Sequence, residues 1–87
     1  MTREQIQQKL IDLAAEKAGV PAAQITPATH FVNDLEFDSL DVVEYAMDVE
    51  DYFHVNVPDD KADELATVGE VVDFVVEQLK AAPAALP

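Results

Sequence analysis

The chain has 87 residues, 49% of them apolar, and a formal net charge of −13; it is long enough for one small domain, too apolar for a disordered acidic tail and too short to wall a deep enzyme cleft. With 18 acids against five basic residues it repels phosphate backbones and anionic lipid, so basic protein surfaces, rather than nucleic acid or membrane, are the expected partners. Cysteine is absent, which removes disulfides, thiolate metal sites and a cysteine nucleophile.

The residues from Met1 to Leu10 are polar and amphipathic, and no apolar run approaches membrane-spanning length, so a cytoplasmic protein is expected. The first helix is predicted over Arg3 to Ala18, opened by a capping box of Thr2 and Gln5 and closed by Gly19 and Pro21. Ile6, Leu10, Leu13 and Ala14 share its apolar face, with Ile11 beside them. Residues 19–37 form a connection in which Pro21 and Pro27 resist helix. A loop that long is credible only if Ile25, Phe31, Val32 and Leu35 pin it to a core.

The second helix is predicted over Ser39 to Phe53, with Asp38 as N-cap and Asp41 placed to suit the helix dipole. The segment from His54 to Pro58 breaks it. A short third helix follows over Asp59 to Glu64, with Ala62 and Leu65 facing in. Thr67 and Glu70 form another capping box, opening a fourth helix that runs to about Lys80. Its core stripe is Val68, Val71, Val72, Val75 and Leu79, with Phe74 alongside. No strand alternation or internal repeat is present. The expected fold is all-α: a small four-helix bundle with a long first loop and a short third helix, a domain over residues 1–80 and a disordered Ala/Pro tail at 81–87.

Helix two carries two apolar stripes. Val42, Tyr45, Ala46, Val49 and Phe53 read as a core face, while Leu40, Val43 and Met47 lie on another, bordered by acids. Periodicity leaves open whether the long loop covers this second stripe or whether it is a docking strip for a partner with an apolar groove and a basic rim. Charge favours docking. Between Ala18 and Asp60 there are ten acids and no Lys or Arg, whereas a merely solvated face would carry compensating lysines at helical spacing.

Ser39 is the only serine. At the start of a helix it sits where backbone N–H groups and positive partial charge favour a phosphate. It has no base: His54 lies beyond the far end of the same helix, about 22 Å away at 1.5 Å per residue, and His30 reads as a loop polar residue. No catalytic triad can be drawn, and taken alone Ser39 is an ordinary first-turn serine. Asp34, Glu36 and Asp38 have calcium-loop spacing, but Ser39 stands where such a loop needs glycine and Tyr45 where it needs glutamate. No metal site is expected.

The stretch Asp34-Leu35-Glu36-Phe37-Asp38-Ser39-Leu40-Asp41 resembles the phosphopantetheine attachment site of acyl carrier proteins, in which Asp-Ser-Leu opens helix two. The resemblance continues through Val43-Glu44, Met47, Glu50-Asp51, Phe53, Val57-Pro58-Asp59-Asp60, Ala62 and Thr67-Val68, covering roughly residues 4 to 80. It implies a freestanding, monomeric carrier of the type II fatty-acid-synthesis kind, with no catalysis of its own. A phosphopantetheinyl transferase (holo-synthase), using magnesium, would move 4′-phosphopantetheine from coenzyme A to Ser39, and acyl groups would ride on its thiol. Acyl-processing enzymes with basic patches would read Asp38, Leu40, Asp41, Val43, Glu44, Met47, Glu50 and Asp51. The acyl chain would shelter near Val49, Val57, Ala62, Leu65 and Phe74. Polyketide, lipid-modification and aminoacyl carriers, and an unmodified acidic interaction domain, stand as alternatives.

The sequence departs from the family pattern in places. Glu36 stands where the family usually has glycine, and the bulky Phe37 follows it beside the attachment site. Tyr45 replaces an aliphatic core residue and needs a partner for its hydroxyl. His54, Asn56 and Asn33 replace acids, so divalent-cation binding is expected to be weakened.

Overall fold

The structure, a computed structural model, describes residues 2–81; the remainder of the expected tail, 82–87, lies outside it. Helix boundaries follow the capping chemistry. Helix α1 (Arg3–Ala18) starts at Thr2, whose hydroxyl accepts the Gln5 N–H while the Gln5 side chain accepts the Thr2 N–H. It ends at Gly19, whose φ of 72° is a left-handed turn that glycine adopts at little cost. Helix α2 (Ser39–Phe53) is opened by the same reciprocal device, Asp38 with Asp41. It ends at His54 in the left-handed region, φ 57°. Helix α3 (Asp59–Glu64) is short and has no side-chain cap. Helix α4 (Val68–Ala81) begins behind the Thr67–Glu70 pair.

Helix α1 packs along α4 and α2, and α3 lies on α2. Leu10, Val49, Val68, Val72 and Val75 are fully buried, each contributing about 1.5–3 kcal/mol by leaving water. The predicted core faces are present: Ile6, Leu10, Ile11 and Ala14 on α1, Tyr45, Val49 and Phe53 on α2, and Val68, Val71, Val72 and Val75 on α4 are all buried. Ala15 joins them, and Leu13, Phe74 and Leu79 are half-buried at the margin.

The long connection contains a 3-10 turn, Ala22–Gln24, and is held by more than its apolar residues. Ile25 and Phe31 are buried and Leu35 half-buried, but Val32 is 51% exposed and anchors nothing. Backbone hydrogen bonds fasten the loop to the start of α4. Phe31 N–H donates to the Ala66 carbonyl at 3.0 Å, Val68 N–H to Thr29 at 3.1 Å and Gly69 N–H to Pro27 at 2.8 Å. The buried Thr29 hydroxyl accepts the Thr26 N–H at 2.9 Å. His30 caps the next turn, its Nδ1 accepting the Val32 and Asn33 N–H groups, as suits a loop polar residue.

Candidate functional site

Residues 30–37 set the entrance to α2. The N–H of Glu36 donates to the Val32 carbonyl and that of Phe37 to Phe31, a nested pair one residue wider than a Schellman ending. Closing the turn requires Glu36 in the left-handed region, φ 58°. This explains why glycine is usual there: the backbone geometry is kept, and a side chain bears the strain.

The turn directs Phe37 inward. Phe37 is 4% exposed and stacks on Phe31 with centroids 5.7 Å apart. Tyr45 completes the cluster at 5.0 Å from Phe31 and 6.2 Å from Phe37. The Tyr45 hydroxyl donates to the Leu10 carbonyl at 2.9 Å, the partner its burial demands. Burial, with the Asp48 carboxylate adding to it, pushes this phenol well above the usual tyrosine value. The aromatic expected beside the attachment serine is therefore part of the interior.

Ser39 is exposed in the first turn of α2. A groove of about 470 Å³ passes it, lined by His30, Phe31, Val32, Phe37, Asp38, Val42, Ala62, Asp63, Leu65 and Ala66. Five of those residues, Phe31, Phe37, Val42, Ala62 and Leu65, also line an interior apolar cavity of about 20 Å³, together with Tyr45, Ala46, Val49, Val57 and Val71. The groove and cavity thus share a wall. Four of the five residues expected to shelter an acyl chain, Val49, Val57, Ala62 and Leu65, meet at this cavity. Phe74 is not among its lining residues; it is half-buried, with the Lys61 ammonium 5.6 Å from its ring centre. Periodicity misses Phe37 and Val42 as lining residues. Their spacing about the Asp38 cap, N′ and N4, is that of a hydrophobic staple, a signal that would have found them.

The second stripe of α2 is open. Leu40 is 63% exposed, Met47 56% and Val43 39%, so the loop does not cover them. Asp38, Glu44 and Asp51 are exposed around it. Two acids have internal duties. The Asp41 carboxylate accepts the Asp38 N–H at 3.2 Å, and the half-buried Glu50 accepts the Val57 N–H at 2.7 Å, holding the segment before α3. Lys17 of α1 reaches Glu44 at 3.1 Å. That bond, with help from Asp48 and Asp41 and against some desolvation, raises the lysine above its usual range. Among the described residues no group of three or more His, Asp or Glu is placed to hold a metal ion, and no helix is long and apolar enough to cross a membrane.

The helical layout, the exposed serine at the start of α2 and the apolar interior beside it describe a small carrier domain. The sequence pattern of the family described as "Phosphopantetheine attachment site" matches residues 8–75. The acyl carrier protein of Rubrobacter xylanophilus is 46% identical over 77 residues, 88% of this chain and 95% of that protein. That of Porphyromonas gingivalis is 42% identical, over 87% of this chain and 97% of its own. Among solved structures, the acyl carrier protein from Enterococcus faecalis superposes with a TM-score of 0.77 at 33% identity, covering 90% of this chain and 99% of that one. The chain belongs to the acyl carrier protein family, whose members hold a covalent 4′-phosphopantetheine and are carriers rather than catalysts.

Proposed function

We propose that Ser39 bears the 4′-phosphopantetheine arm and that the protein carries acyl intermediates of fatty acid biosynthesis in the cytoplasm, as a monomer. The observation that carries this reading is the position of the chain's only serine: exposed, in the first turn of a 15-residue helix, on the rim of a groove that shares a wall with an apolar cavity. In the modification, Ser39 Oγ forms an O–P bond with the pantetheine-side phosphorus of coenzyme A as that phosphorus's pyrophosphate P–O bond breaks; adenosine 3′,5′-bisphosphate leaves, and the hydroxyl proton passes to a base of the transferase or to water. The Ser39 and Leu40 N–H groups, left without helical acceptors at the start of α2, would offer donors to a phosphate carried on Ser39. When bound, the group supplies a thiol that holds acyl chains as thioesters. The groove beside Ser39 reaches Ala62 and Leu65, where the arm would lie, and Val49, Val57, Ala62 and Leu65 would offer an acyl chain apolar contact.

Phosphopantetheinyl transferase and acyl-processing enzymes dock on α2. Leu40, Val43 and Met47 supply the apolar contact, while Asp38, Asp41, Glu44 and Asp51 attract the basic rim. Glu50 holds the wall of the cavity and contributes its charge from a half-buried position.

Intact mass after incubation with coenzyme A and a competent transferase tests the reading. The expected result is a gain of about 340 Da in the wild type and none in Ser39→Ala. Met47→Ala, with helicity unchanged, should load several-fold more slowly. An unmodified wild type would reduce the protein to an acidic helical domain, and unaltered loading of Met47→Ala would remove the strip from docking.

A further inference from the structure

We propose that the aromatic cluster of Phe31, Phe37 and Tyr45 limits the length of acyl chain this protein encloses. The inference rests on the carrier reading and concerns what the carrier can shelter.

The interior cavity, at about 20 Å³, holds little more than one water molecule. Any enclosed chain must therefore displace a wall, and the walls differ in how firmly they are held. On one side stand the three rings, 5.0–6.2 Å apart. Each ring is fixed by backbone or hydroxyl as well as by packing. Phe31 N–H is bonded to Ala66 and its carbonyl to the Phe37 N–H, both at 3.0 Å. The Tyr45 hydroxyl is bonded to Leu10 on α1 at 2.9 Å. Moving Tyr45 would strand a buried phenol, and moving Phe37 would undo the turn that delivers Asp38 to its cap.

The opposite wall is α3 and its approach. It has six residues, no side-chain cap, a buried Ala62 and a half-buried Leu65, and its polar ties lie at its two flanks, Val57 N–H to Glu50 before it and the Ala66 carbonyl to the Phe31 N–H after it. This side yields at least cost. A chain entering from the Ser39 groove thus gains room only by lifting α3, and the rings block growth toward α1. Residues 31, 37 and 45, from the loop and α2, thus meet on one side of one cavity.

The test loads the protein from acetyl-, butyryl-, hexanoyl-, octanoyl- and decanoyl-coenzyme A, verifies each product by intact mass, and measures melting temperature. Enclosed methylenes raise it and exposed ones do not. The wild type should rise with the shorter chains and level off before decanoyl. Phe37→Leu and Tyr45→Leu, each smaller at the blocking wall, should move the levelling point to a longer chain. If the rings serve stability only, both variants melt lower by a constant amount at every chain length and level off at the same chain as the wild type; that result overturns the proposal. A wild type whose melting temperature climbs through decanoyl overturns it as well. If one variant does not fold, the other decides. Absence of any mass gain is a separate failure, of the carrier reading itself, and the chain-length proposal falls with it.

Discussion

Glu36 and Tyr45 show how single residues carry the local departures of this chain. At φ 58° Glu36 occupies a conformation that costs an L-residue about 1–2 kcal/mol, while glycine would add back part of that in unfolded-chain entropy. Glu36→Gly should therefore stabilise the fold by about 0.5–1 kcal/mol, read as a rise of a few degrees in melting temperature. A fall would mean that the Glu36 side chain makes a contact worth more than the strain. Tyr45 gives a pH signature. The folded protein keeps its phenol neutral where the unfolded chain ionises, so the stability it provides is complete below about pH 10 and is lost as pH rises above that. Lys17, also raised, loses stability in the same direction in wild type and variant alike. Tyr45→Phe should accordingly show a shallower fall in stability than wild type between about pH 10 and 12. Parallel alkaline curves would locate the dependence in other groups.

Among the elements, the join between the long loop and α4 is the most exacting. A Cβ on Gly69 would lie 3.0 Å from the Pro27 carbonyl oxygen, which also accepts the Gly69 N–H. Gly69→Val should lose about 1–3 kcal/mol in chemical denaturation, although valine is no worse than glycine as a helix residue. An unchanged midpoint would show that the loop can move away freely. Three of the four helices are legible in the sequence because their starts are written in capping residues: Thr2 with Gln5, Asp38, and Thr67 with Glu70; the uncapped α3 is marked instead by Pro58 ahead of it. Apolar spacing marks their inner faces. Spacing does not reveal long-range events. The loop is held by backbone bonds to α4, which have no residue signature, so Val32 reads as an anchor that it is not. Phe37 reads as a bulky side chain beside the attachment site, yet the left-handed Glu36 turns it inward. The cavity draws on the loop, α2, α3 and α4 together, and Phe74, apolar and correctly placed on its helix, misses it.

At the scale of the whole molecule, charge prevails. A net −13 on a small domain is self-repelling. Raising ionic strength from about 0.01 M to 0.15 M shortens the Debye length from about 30 Å to 8 Å, and the melting temperature should rise by several degrees. A flat response would imply that the carboxylates are already neutralised internally. At least one is: a lysine missing from residues 18–60 arrives from α1, where Lys17 meets Glu44.

The contact between Lys17 and Glu44 bears on how strongly a visitor can hold on. On the proposed docking face, a cation arriving at that carboxylate would have to displace the resident one, so part of the attraction felt at long range would not be gained at close range. Encounters should be fast and complexes brief, a useful combination for a shuttle that must leave each enzyme as readily as it finds the next.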